Sequence, residues 1–187
     1  MAKFKMAMSF VMKYEGKYAF DPNDLGGETY MGISRKAHPM WAGWMIIDVI
    51  KHERRLSTND DIPEVNELVG NFYQVEYWDR LSGDNICDQE IANELMDISI
   101  HMTDYVAISF LQEGINMING VKDNWLDIKV DGIMGKETLA AEEYSRDKGR
   151  SSSIVKYINC EQGHRYKKII TNNNKMRRYA VSWYSRT

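Results

Sequence analysis

The segment Tyr14-Glu15-Gly16-Lys17-Tyr18-Ala19-Phe20-Asp21-Pro22-Asn23-Asp24-Leu25-Gly26-Gly27-Glu28-Thr29-Tyr30-Met31-Gly32-Ile33-Ser34 decides how the chain is read. Its Asp-Pro, Asn-Asp and Gly-Gly steps are turn chemistry, and they predict a small hairpin within 17–32. The chain on either side reads as helix. Phe4, Met8, Val11 and Met12 fall at i, i+4, i+7 and i+8, which predicts a helix over 3–15 stopped by Gly16. Glu15 then lies about 20° from Phe4 on the helical wheel, a carboxyl on the apolar stripe at the helix end.

Downstream, residues 33–37 suggest one helical turn ended by His38-Pro39, and a helix is expected over 42–52. A third covers 61–80, capped by Thr58 or Asn59, with Val65, Leu68, Phe72 and Val75 facing inward. Asp88 caps the cleanest amphipathic run, Ile91, Leu95, Ile98 and Met102. Ile108, Leu111, Ile115 and Ile118 mark a helix stopped by Gly120, and another runs from Lys136 to Arg146 after a glycine turn. Two more are separated by Asn172–Asn174. The fold class is all-α with at most one short β-hairpin.

Composition narrows the function. The 187 residues include only 3 prolines and no low-complexity run, which argues against a disordered or linker protein. The 12 methionines are read as core filling. Cys87 and Cys160 match no metal or redox spacing; a disulfide fits them, and two buried free thiols are the plainer reading. The four histidines show no paired ligand spacing, so no metal and no cofactor are expected. Lys3, Lys5 and Ser9 interrupt the apolar N-terminus, so it does not read as a signal peptide, and no run is long enough for a membrane span.

The net charge of −3 is unevenly spread: residues 146–187 carry 11 Lys and Arg against Asp147 and Glu161, while the rest is acidic. That asymmetry fits an anionic partner, docking of the tail on the acidic body, or a solvated face. No helix-turn-helix or zinc-finger pattern supports nucleic acid as the partner.

Chemistry points to the opening segment. A carboxyl in an apolar pocket has its pKa raised, and a protonated carboxyl near neutral pH can donate to a leaving oxygen. Asp24, held opposite by a hairpin, supplies the second carboxyl that glycosidases use, and Thr29 is placed to position water. A frayed, exposed Glu15 and an Asp24 making an ordinary turn are the plain alternatives.

The same segment resembles the opening motif of glycoside hydrolase family 108, through Glu15, Gly16, Tyr18, Pro22, Asp24, Gly26, Gly27, Thr29, Gly32 and Ile33. Tyr77-Trp78, Met96-Asp97-Ile-Ser-Ile-His101 and Phe110-Leu111-Gln112 are similar to later motifs of that family. So are Val130-Asp-Gly-Ile-Met-Gly-Lys-Glu-Thr138 and Trp183-Tyr-Ser-Arg186. The order Glu15, Asp24, Thr29 is also similar to phage-type lysozymes. The resemblance implies a lysozyme-like fold, a catalytic region over 1–120 and a helical peptidoglycan-binding-like region over 121–187. It implies N-acetylmuramidase activity on bacterial peptidoglycan, with Glu15 as general acid and Asp24 and Thr29 in the second role.

Tyr30, Trp78 and His101 are the candidate substrate contacts. Access to the wall from the cytoplasm implies a holin or a secretion machinery. Lys17 departs from the family's second glycine and sets a cation beside Glu15. It supports the alternative of a non-catalytic wall-binding or secretion-accessory protein. Tyr30 and His101 also depart, each standing for an Asn. The loop over 123–138 lacks the oxygen ligands of an EF-hand at Lys129 and Thr138, and reads as a turn fixed by Asp131 and Thr138.

Overall fold

The computed structural model describes residues 1–20, 27–120 and 126–187. Among them are eight α-helices and one three-stranded antiparallel sheet, so the mostly helical class expected from sequence holds. The sheet exceeds the single hairpin by one strand. Two compact units form: Met12–Val75, and Met1–Val11 joined with Glu76–Thr187. No helix among the described residues is long and apolar enough to cross a membrane.

In the smaller unit the strands are β1 (Tyr18–Phe20), β2 (Glu28–Tyr30) and β3 (Ile33–Ser34), in that order. Tyr18 faces Tyr30 and Phe20 faces Glu28, while Tyr30 pairs with Ile33 across a two-residue turn. In that turn Met31 has φ 46° and Gly32 φ 80°. Two positive φ angles in a two-residue connection match the twist of the strands they join. Ile33 therefore continues a strand where a helical turn had been expected.

The smaller unit also holds α2 (Gly43–Glu53) and α3 (Asn66–Tyr73), while α1 (Phe4–Val11) belongs to the larger unit. Trp44 and Ile47 of α2 are buried, as are Ile62, Val65, Val69 and Tyr73 around α3. Val75 was expected inward but is exposed, because a π-helical turn over Gln74–Trp78 breaks the α period that placed it there. Pro63 at the first helical position opens that region in place of a Thr58 or Asn59 cap.

The helix expected over 3–15 ends at Val11. Val11 is the last residue of the larger unit before the chain passes to the smaller one at Met12. Packing thus overrides a periodicity that continued to Glu15.

In the larger unit α4 (Gln89–His101) packs against α1, α5 (Asp104–Ile118) and α7 (Ser151–Asn172). Asp88 caps α4 as expected, accepting from the Glu90 and Ile91 amides at 2.9 and 3.1 Å. Glu142 of α6 (Lys136–Asp147) reaches the same end, accepting from the Cys87 and Asp88 amides, each at 3.0 Å. The turn before α6 is clamped by Gln112, whose Oε1 accepts from the Asp131 and Gly132 amides. Its Nε2 donates to Asp131 Oδ1 and Thr138 Oγ1, so those two residues hold the turn. Both cysteines are free thiols, but Cys160 is exposed rather than buried.

The basic tail closes on the body through α8 (Ala180–Tyr184) and the residues after it. Arg186 Nη1 donates to Asp97 Oδ1 at 2.6 Å, with both side chains almost wholly buried. Arg186 realises the docking that the charge asymmetry suggested, while Arg165, Lys167, Lys168, Lys175, Arg177 and Arg178 stay exposed. Beside this pair, burial first and then repulsion from Asp97 push the Glu94 carboxyl up to about 7.

That shift has a sign for stability. Between the ordinary carboxyl range and pH 7 the folded chain binds a proton that the unfolded chain has lost, so stability falls as pH rises through this window. Glu94→Gln should flatten the fall and raise stability at pH 8 by roughly 2–3 kcal/mol. Urea unfolding at pH 5 and pH 8 reads this directly; a glutamine variant less stable than wild type at pH 8 would contradict it.

Candidate active site

Glu15 lies just beyond the turn that follows α1, with its side chain half-buried in the smaller unit. It is therefore neither on the α1 stripe nor at a helix end. Gly32 sets its position instead. A Cβ built on Gly32 would stand 2.7 Å from Glu15 Oε2, 3.1 Å from Glu15 Cδ and 2.5 Å from Tyr73 Oη. Carboxyl and phenol converge on the one spot of the β2–β3 turn that lacks a side chain.

Tyr73, at the end of α3, carries no sequence signal beyond an aromatic at a core-compatible position. Its hydroxyl donates to the Met31 carbonyl at 2.7 Å. A carbonyl only accepts, so the single phenolic proton is committed there, and toward Glu15 the oxygen offers lone pairs. The grouping of Glu15, Gly32 and Tyr73 thus joins residues up to 58 positions apart.

Lys17 does not crowd Glu15. Its Nζ pairs with Asp61 Oδ2 at 3.1 Å, both side chains being about half exposed. Thr29 sits half-buried on β2, opposite Ala19 and Ser34. Asp24 lies outside the described residues.

Two expected sugar platforms prove to be core. Tyr30 is fully buried, and its hydroxyl accepts from the Ile62 amide at 2.9 Å and donates to the Ile62 carbonyl at 3.1 Å. Trp78 is 1% exposed, packs with Phe4 and donates its indole N–H to Asp84 Oδ1 at 2.9 Å. Neither ring presents a face to a ligand in this structure. His101 ends α4 in the larger unit, its Nε2 3.9 Å from the buried Asp97 Oδ1.

A second carboxylate, Glu28, contrasts with Glu15. It is buried on β2 and accepts from Tyr18 Oη at 2.8 Å, Lys51 Nζ at 2.7 Å and Arg35 Nη1 at 2.9 Å. Burial pushes its pKa up, but the hydrogen bonds from Lys51, Arg35 and Tyr18 outweigh that and hold it below the usual range. Arg35 also grips Asp48 of α2 at 2.7 and 2.6 Å. Glu28 is a saturated structural anion that ties β2 to α2. Among the described residues no three His, Cys, Asp or Glu side chains gather as a metal site would need.

Comparison with known proteins gives two adjoining matches. Residues 8–102 match the profile of glycosyl hydrolase 108, and residues 106–187 match a predicted peptidoglycan domain. No curated protein matches at a significant level. Among solved structures the chain is similar to SagA of Brucella abortus, at 22% identity and a TM-score of 0.56. The alignment covers 97% of this chain and 95% of that one, a likeness of fold.

Crowding at Gly32 is testable against an internal control. Gly27 also has positive φ, at 65°, yet a Cβ there would meet none of the described residues within 4 Å. Gly27→Ala should cost only backbone strain, about 1 kcal/mol. Gly32→Ala should cost about 2–4 kcal/mol and displace Glu15, with a loss of activity far exceeding that of the Gly27 variant. Thermal unfolding and turnover of the two variants, measured side by side, decide it.

Proposed function

We propose, from the premise that this chain belongs to the glycosyl hydrolase 108 family and is a peptidoglycan-degrading hydrolase, that it is an N-acetylmuramidase with Glu15 as its general acid. The bond cleaved is the one joining N-acetylmuramic acid to N-acetylglucosamine. The observation that carries this reading is the setting of Glu15, half-buried against an open glycine and a hydroxyl oxygen whose proton is already spent on Met31. A protonated carboxyl can donate into that lone pair, whereas an ionised one meets no donor from it.

In the proposed reaction Glu15 gives its proton to the glycosidic oxygen as the bond breaks and positive charge grows at the muramic acid C1. Asp24 and Thr29 are assigned the second role, steadying that charge or orienting the attacking water. The alternative of a non-catalytic wall-binding protein leaned on Lys17 and on the basic tail, and the pairing of Lys17 with Asp61 weakens the first of these.

Glu15→Gln keeps the size of the side chain and removes the transferable proton. Release of reducing ends from purified peptidoglycan should fall by at least about a hundredfold, with binding to the wall retained. Activity persisting in this variant would take the acid role away from Glu15. If neither wild type nor variant cleaves across a pH series while both bind, the chain is a wall-binding relative.

Tyr73 supplies a second test with a defined sign. Under this proposal the Tyr73 oxygen accepts from the protonated Glu15, so Tyr73→Phe should move the alkaline limb of kcat/KM to lower pH. A move upward would mean that the phenol donates to the carboxylate instead.

A further inference from the structure

The smaller unit holds a cavity of about 860 Å³ floored by Tyr18 and Phe20 of β1. Its walls come from the end of α2 and the segment after it, including Lys51, Arg54, Arg55 and Ser57. Its hydrogen-bonding surface is rich in donors, with Glu53 as the one acidic residue among the described residues that line it. A neutral sugar would be met by a mixture of acceptors and donors, so this wall is chemically suited to an anion.

The cations are not equivalent. Lys51 is fixed by Glu28 at 2.7 Å and Arg54 by Asp60 at 2.6 Å, which holds both heads in place. Arg55 is exposed and makes no ion pair among the described residues, leaving its planar fork of donors free for a carboxylate. Phe20 leaves 58% of its surface exposed on the cavity floor, an apolar face beside the charges. Carboxylates carried on a short aliphatic backbone satisfy both features together.

Position completes the argument. Tyr18 follows Glu15 by three residues, so the cavity floor begins within about 11 Å of it along the chain. That is the scale of a sugar residue with its substituent. On a peptidoglycan strand the carboxylates belong to the peptide hanging from muramic acid, not to the sugar rings. We infer that this cavity binds the carboxylates of that stem peptide, with Arg55 as the specificity-determining cation, an inference that rests on the muramidase reading. The chain is then selective for strands that still carry their peptides.

The test uses soluble glycan fragments of purified peptidoglycan, either with stems intact or with stems removed by an amidase and the lactyl carboxylate so exposed capped as its methylamide. Wild type should favour the stem-bearing fragments. Arg55→Ala should raise KM on them about tenfold at little change in kcat, leave the stem-free kinetics unmoved, and be partly rescued by Arg55→Lys. Equal losses on both substrates, or none on either, would overturn the assignment. Calorimetry with stem-bearing fragments separates this outcome from failure of the muramidase reading. If no chain cleaves anything, binding that still weakens about tenfold in Arg55→Ala upholds the pocket, and unchanged affinity removes it.

Discussion

The space above Gly32 is the constraint on which the candidate site depends. A turn with two positive φ angles brings β3 back along β2, and its second residue must leave room for Glu15 and Tyr73 together. Any side chain there would push one of them away. The strain of Met31 at φ 46°, about 1 kcal/mol, is offset in part by the hydrogen bond its carbonyl receives from Tyr73. The same short turn therefore shapes the sheet, orients the phenol and seats the carboxyl.

How much of this could be read in the sequence depended on whether the determinant was local. The helix α4 was legible because its cap, Asp88, and its apolar spacing through Ile91, Leu95 and Ile98 are local in the chain. The glycine turn before α6 was legible for the same reason, although its clamp, Gln112, was seen only as part of a motif. Glu15 stood out as a carboxyl that extended an apolar pattern, yet the pattern misplaced it: the helix stops at Val11, where the chain leaves one packing unit for another. Tyr73 could not be singled out, since its role comes from a hydroxyl meeting a backbone carbonyl 42 residues away. Tyr30 and Trp78 were expected to face sugar because aromatic rings do so in clefts, but burial is a property of packing that residue type alone does not fix.

The larger unit is organised by an interaction of the same non-local kind. Asp97 on α4 and Arg186 near the end of the chain, 89 residues apart, form a buried ion pair joined by Gln162. Pairs of this sort add little net stability, because desolvation cancels much of the attraction, but breaking one leaves an uncompensated buried charge. The pair thus acts as a register mark for the tail: apolar residues could slide between neighbouring packings, whereas a single carboxylate accepts a single guanidinium at 2.6 Å. Two motifs at the ends of this unit gain their meaning only when the fold brings them together.

The two carboxyls of the smaller unit divide by what surrounds them. Glu28 is enclosed by an ammonium, a guanidinium and a phenolic proton, all favouring its ionised form. Glu15 and the Tyr73 hydroxyl share the space above Gly32, and that hydroxyl donates to the Met31 carbonyl. Tyr18 and Tyr73 are the same residue type, yet one donates to a carboxylate and the other to a backbone carbonyl. Of the two glutamates, Glu28 is set to hold charge and anchor the sheet, and Glu15 is the one proposed to carry a proton. Saturation with donors is why Glu28 is no candidate for the acid role, which is proposed for Glu15 instead.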